Sequence, residues 1–390
     1  MTARESWPFA RPGGRTFELA PQYSQLREAD PVSRIILPDG TPAWLAISSH
    51  DVRTVLTDPR FSTRIQPMHR PGGDTTERIG ALAHLDPPDH ATYREPLQRL
   101  FSARRVRALE PRISQVIDEH LEMMAAAGPP ADLVAAFAIP VPLTITCELI
   151  GLPLAERAML QEAADLLLTL DVDPQNASDT ATALLDYLNH VVRIKHSTPG
   201  DDLISHMVGH GRYTDAEVAA LAATVLLGGY ETLAGMISTG AALLMHHPAQ
   251  ALALQGDVHD RTLAVEEILR YVTVIQYGCD RIALTDLFLG DQLIHAGDRV
   301  VAFLPAANRD PLLCPVPDVL NTQRPPTAHA AFGYGPHQCL GQQLARVELG
   351  LALHLLFQRF PRLKLADAQN DLPTRRDKLF ASYHHLPVTW

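Results

Sequence analysis

Cysteine is scarce in this chain of 390 residues: there are four, at positions 147, 279, 314 and 339, with no CxxC pair among them. That excludes a disulfide framework and fits a reducing compartment. Cys147, Cys279 and Cys314 read as small buried apolar residues. An excess of basic charge is also missing. Lys and Arg total 33 against 44 Asp and Glu, a net charge of −11, which excludes the extended basic face that nucleic acid requires. Long apolar runs are absent too. Residues 1–15 carry Arg4, Glu5, Arg11 and Arg15 and no apolar stretch, so neither a signal peptide nor a membrane anchor is expected there. The most apolar later segment, 219–227, is too short to span a bilayer. No linker, internal repeat or low-complexity tract interrupts the chain. The expectation is one domain over residues 1–390, cytoplasmic and monomeric, with no membrane or nucleic-acid partner.

What is present is an ordinary apolar content of 46%, with 20% charged residues, enough for a sizeable core. Apolar residues at three- and four-residue spacing dominate residues 89–271 and 341–359, which predicts helix. Strand-like runs occur at 32–47, around the turn Pro38-Asp39-Gly40, and at 281–303, punctuated by Asp286, Gly290, Asp291, Gly297 and Asp298. The fold class is therefore mainly α with a smaller β part. One helix stands out. Thr214-Asp215-Ala216-Glu217 is a capping box, and the pattern runs unbroken to His246-His247, where Pro248 ends it. A helix of about 32 residues would be about 48 Å long.

Cys339 lies in Phe332-Gly333-Tyr334-Gly335-Pro336-His337-Gln338-Cys339-Leu340-Gly341, a glycine-rich loop ahead of a helical segment. Glycines let backbone approach a flat, bulky group, and a helix N-terminus is expected to lower the thiol pKa and favour a thiolate metal ligand. A lone loop cysteine is usually inert. Here phenylalanine, two glycines at alternate positions, a basic residue two before the cysteine and a glycine two after it resemble the haem-binding loop of the cytochrome P-450 family. The resemblance implies that fold, with the long helix crossing a haem b whose iron Cys339 ligates, and with Phe332 and Gly341 beside it.

Other segments bear on the same resemblance. Gly228-Gly229-Tyr230-Glu231-Thr232 could simply be a flexible spot, or a place where the threonine hydroxyl opens the helix. It matches the family's Ala/Gly-Gly-x-Asp/Glu-Thr motif, which implies that Thr232 donates a hydrogen bond at the oxygen-binding site and that Glu231 relays protons. Leu233 stands where many relatives have a second hydroxyl. Glu267 and Arg270 share a helical face and would by default be a solvated pair; the resemblance implies instead a buried network completed by Arg324, serving folding and haem retention. Asn308-Arg309-Asp310-Pro311 adds to the match, while Cys314 and Leu320 replace common aromatics. For the haem propionates it implies His90, Arg94, Arg281, His329 and His337, each of which taken alone would be an ordinary surface or capping residue.

Arg99, Arg104, Arg105, Arg107 and Arg346 could form a solvated face, or the surface on which this family docks an acidic ferredoxin supplied by a ferredoxin reductase. The activity implied is that of a monooxygenase inserting one atom of O2 into a medium or large hydrophobic molecule, by hydroxylation or epoxidation in secondary metabolism. The alternatives are oxidative C–C or C–N coupling or ring formation by the same chemistry, or a non-catalytic haem-thiolate sensor, against which the Glu231-Thr232 pair argues. A zinc site on His337 and Cys339 lacks two further ligands. The substrate pocket is expected along residues 64–82, at Val225, Leu226 and Gly229, at Val274 and Ile275, and near Ser382, with residues 159–196 as a lid of two helices.

Overall fold

The computed structural model describes residues 7–9, 11, 17–64, 81–367 and 372–390. Most of the two stretches singled out at 1–15 and 64–82 lies outside the described residues. Elsewhere the three- and four-residue periodicity becomes helix. In Ala103–Ala127 the residues Ile113, Val116, Ile117, Leu121 and Met124 are buried at that spacing, behind an N-cap where the Ser102 side chain accepts from the Arg105 amide. Their face packs against Gln342–Arg359, the helix that follows the Cys339 loop. Each such fully buried apolar side chain contributes roughly 1.5–3 kcal/mol.

The hairpin forms as expected. Val32–Ile36 pairs antiparallel with Pro42–Ala46, and Gly40 takes φ 83° in the turn, a left-handed conformation that favours glycine. The sheet then grows by long-range pairing, with Arg299–Ala302 parallel to the hairpin's second strand, Cys279–Ala283 antiparallel to that, and Phe61–Ser62 at the edge. The 281–303 region thus splits between this sheet and a separate hairpin, Leu287–Leu289 with Gln292–Ile294. This arrangement sets Arg281 on an interior strand, one residue beyond the Ser62–Ile282 pair, where it and Thr63 face one cavity.

The long helix is not continuous. It is two helices, Asp215–Gly229 and Glu231–His246, joined at Tyr230, where φ is −95° and ψ −42°. The capping box at Thr214 and Glu217 is present, and the second helix stops before Pro248. Two adjacent glycines weaken the joint by about 1 kcal/mol each. The Thr232 hydroxyl donates to the Gly228 carbonyl at 2.8 Å, the oxygen that the amide of residue 232 would claim in an unbroken helix. The whole stretch Asp215–His246 is long and apolar enough to cross a bilayer, a point the 219–227 segment alone had hidden. However, 72% of its most apolar window is buried inside the fold, as in a core helix.

Candidate functional site

The Cys339 loop is closed by its own backbone. The Cys339 amide donates to the Phe332 carbonyl at 2.8 Å, and Gly333 and Gly335 turn the chain at φ 70° and 73°. Gly335 is required twice over, since a Cβ there would also stand 2.7 Å from the Leu56 carbonyl oxygen. Two neighbouring carboxylates pin the loop. Glu266 accepts from Arg346 Nε at 2.6 Å, after the loop, and pairs with His329 Nε2 at 3.0 Å, before it. Against burial, which would raise it, these hydrogen bonds hold the Glu266 carboxyl down at about 2. Glu267 is gripped by Arg270 at 2.8 and 2.9 Å and by Arg324 Nε at 3.1 Å. Arg270 also donates to the Asn308 carbonyl, and Asn308 Oδ1 receives the Ala330 amide at the start of the loop. Glu267 and Arg270 are buried, as the resemblance implied, and Arg324 is half-buried at the edge of the network.

Cys339 is the one exposed cysteine, open to space within the fold yet ringed by protein. Its thiol is pushed up, not down. Burial raises it and outweighs the Gly341 amide, Arg94 and Arg346, which favour the anion. The helix N-terminus alone therefore does not make a thiolate here; a cation at the sulfur would have to complete it.

Beside the loop lies a cavity of about 430 Å³ whose lining includes His90, Arg94, Arg281, His337 and Leu340. The His90 and His337 rings are 4.1 Å apart. His337 Nε2 is buried without a hydrogen-bond partner among the described residues. Burial, then His90, Arg281 and Arg94, pushes His337 down to about 3. Arg281 donates to the Asp280 carbonyl at 2.7 Å and Arg94 to the Gln338 carbonyl, but neither forms an ion pair with a described carboxylate. Asp86 is occupied by Ser62 and Thr63. Asp280 shares the cavity lining and is taken by Arg299 at 2.8 Å, so the Arg94 and Arg281 guanidiniums are left without an ion pair to a described carboxylate. Such cations are costly to bury, and with His90 and His337 beside them they fit a ligand carrying carboxylates. With the Cys339 sulfur adjacent, the donor set fits haem.

His329 departs from expectation. Its Nε2 is taken by Glu266 and its Nδ1 accepts from the Ala331 amide at 3.3 Å, leaving neither nitrogen for a propionate. Phe332 stacks under the Arg346 guanidinium at 4.5 Å. It supports the loop and, like Cys339 and Gly341, is not among the residues that line this cavity.

On the helix pair, the expected pocket residues need rotation. Leu226 is fully buried, and a Cβ on Gly229 would press on Thr146 at 3.0 Å. Thr224 lines the cavity instead. Four and eight residues on, Gly228, where a Cβ would meet nothing within 4 Å, and Thr232 share its face. Val225, on the edge of that stripe, is half-buried. Val274 is buried, Ile275 bridges to Phe380, and Ser382 is buried with its hydroxyl unpartnered; their neighbours Tyr277 and Leu379 face the cavity. Thr169 and Leu170 line it too, from the link between the helices Arg157–Leu167 and Pro174–Ser197, the two expected between 159 and 196.

Glu231 is 3% exposed and, among the described residues, neither carboxylate oxygen has a hydrogen-bond partner. Arg375 NH1 and Lys378 Nζ approach Oε1 to 3.7 and 4.0 Å. Burial raises the carboxyl to about 7, against the pull of Lys378 and Arg375. Sequence reasoning missed both cations, because 140 residues and more of chain separate them from Glu231 and no motif marks them.

Comparison with known proteins agrees with this geometry. The family model "Cytochrome P450" matches residues 262–383. Cytochrome P450-SU2 of Streptomyces griseolus is 37% identical over 98% of this chain and 96% of its own length. Nocardicin C N-oxygenase of Nocardia uniformis is 36% identical over 100% and 99%. A crystal structure of CYP105P1 in complex with filipin I superimposes with TM-score 0.92 at 36% identity, covering 99% of this chain and 98% of that one.

Proposed function

The chain belongs to the cytochrome P450 family and is an oxidoreductase of that family, and from that premise we propose that it is a haem b-dependent monooxygenase. It inserts one atom of O2 into a medium or large hydrophobic molecule of secondary metabolism, by hydroxylation or epoxidation. The observation that carries this reading is the Cys339 thiol, next to Arg94 and Leu340 of the cavity lining, together with Arg94 and Arg281, which have no ion pair to a described carboxylate. Cys339 would ligate the iron, and His90, Arg94, Arg281 and His337 would hold the propionates. The bound haem supplies the activation of dioxygen, which thiolate donation assists.

The protein's own residues do the rest. Thr232 presents its hydroxyl at the helix joint, Glu231 holds a proton near neutral pH, and Thr224, Leu170 and Leu379 help form a mostly apolar wall that keeps water from the substrate. A relative named as an N-oxygenase and another crystallised with filipin I support a sizeable secondary metabolite as substrate. Turnover under isotopically labelled dioxygen tests the reading. One labelled oxygen in the product is expected; unlabelled product with a new C–C or C–N bond would move the assignment to oxidative coupling.

Electrons come from a ferredoxin and its reductase in this reading, with the enzyme a cytoplasmic monomer of one domain. Arg105 is already paired with Asp201 at 2.7 Å and Arg346 with Glu266. The docking charge therefore falls to Arg99, Arg104 and Arg107, which are exposed. Arg104→Glu with Arg107→Glu should slow reduction about tenfold or more at low salt without altering substrate affinity. Unchanged reduction kinetics would remove this surface from the reading.

A further inference from the structure

Two cations, Arg375 and Lys378, lie between two carboxylates. One is Glu231 at the helix joint. The other is Asp165, on the helix Arg157–Leu167. The contest is unequal. Arg375 NH2 donates to Asp165 Oδ1 at 3.1 Å, and Lys378 Nζ stands 3.3 Å from the same oxygen and also donates to the Asp165 carbonyl. Neither cation reaches hydrogen-bond distance of Glu231. Lys378 is 2% exposed, so it cannot trade Asp165 for water at little cost. The C-terminal turn is fixed from below, since Gln276 Nε2 donates to the carbonyls of Arg375 and Lys378, both at 3.1 Å. It is tied to the 157–170 segment by the Leu170 amide on the Asp377 carbonyl at 2.8 Å. Asp165 itself reaches the surface, with 37% of its side chain exposed.

Resting on the relay role of Glu231, we propose that Asp165 is a positioning residue: by holding Arg375 and Lys378 off Glu231, it makes proton delivery depend on the seating of the Arg157–Leu167 helix. With Asp165 in place, Glu231 is a buried carboxyl with no hydrogen-bond partner among the described residues, able to hold a proton and pass it toward Thr232. With Asp165 withdrawn, two buried cations have one carboxylate left to neutralise them. Glu231 then becomes a fixed anion that neither accepts nor gives a proton near neutral pH. The other charges facing Glu231 are Asp377 on the same turn and, on its own helix joint, the Tyr230 hydroxyl. Neither competes for the cations as Asp165 does. Substrate entry and proton supply are thereby linked, because Thr169 and Leu170, which follow this helix, line the cavity.

The test titrates Glu231 directly. Infrared difference spectra of the holoenzyme against Glu231→Gln, recorded across pH, isolate its carboxyl band. In Asp165→Asn the midpoint should fall by about one pH unit or more, and Asp165→Glu should restore it, with variants compared at equal haem content. Product formed per dioxygen consumed should drop in Asp165→Asn and recover in Asp165→Glu. An unshifted midpoint in Asp165→Asn overturns the inference whatever the turnover data say. Wild-type turnover in Glu231→Gln would overturn the relay role itself, a different result that the midpoint does not produce.

Discussion

At the scale of single residues, two positions give sharp tests. Gly335 holds φ 73° with the Leu56 carbonyl where a side chain would begin. Gly335→Ala should cost about 1–2 kcal/mol of backbone strain and distort the Cys339 loop, so the purified variant should carry less haem per chain at unchanged helix content. Equal haem loading would contradict the tight approach. Glu348, on the helix after the loop, is 2% exposed, and burial alone raises its carboxyl from 4.5 to about 8. Between those values the folded state binds a proton that the unfolded chain does not. Stability should therefore fall as pH rises through that window, by up to roughly 1.4 kcal/mol per pH unit. In Glu348→Gln that slope should disappear from urea midpoints measured across the window; a slope equal to wild type would refute it. Cys339 and Glu231 were legible in the sequence because each sits inside a compact motif. The cavity wall was less so. Leu226 and Gly229 lie close in sequence to Thr224 and Gly228, but 100° of helix rotation per residue separates facing from buried, and a sequence does not declare the phase.

At the scale of elements, the break at Tyr230 and the carboxylates Glu266 and Glu267 show what spacing can and cannot carry. The apolar repeat through 214–246 predicts one helix, and it is right about both ends. It is silent on the joint, which depends on the Thr232 hydroxyl taking the Gly228 carbonyl. Likewise the i and i+3 spacing of Glu267 and Arg270 alone reads as a surface pair; the family resemblance implies the buried network with Arg324, 54 residues beyond Arg270, and the fold brings the three together. His329 was misread for the same reason: Glu266 claims it from a helix remote in sequence. Because Glu267 is buried between two arginines, Glu267→Gln leaves uncompensated charge and should destabilise by about 3–5 kcal/mol. The fraction that retains haem should turn over normally, as expected of a residue whose hydrogen bonds among the described residues are with Arg270, Asn321 and Arg324 alone. Thermal unfolding with activity per haem checks both halves, and lowered activity per haem at intact stability would reverse the assignment.

At the scale of the molecule, a net charge of −11 coexists with the exposed Arg99, Arg104 and Arg107 and with a buried cluster of basic groups at the cavity. The first suits an acidic electron carrier, the second an anionic cofactor. The helical content, the hairpin and the order of the motifs could be read from the sequence. The five-stranded sheet order, the hold of Asp165 on the C-terminal cations and the closure of the cavity arise from contacts between distant segments, which no local pattern encodes. All of it converges on the sulfur of Cys339, which would ligate the haem iron. The absorption spectrum of the reduced, carbon-monoxide-bound protein measures that bond most directly. A strongly red-shifted Soret band, lost in Cys339→Ala, is the predicted result; a band at the position of imidazole or neutral-thiol ligation, or the same band in Cys339→Ala, would contradict the account.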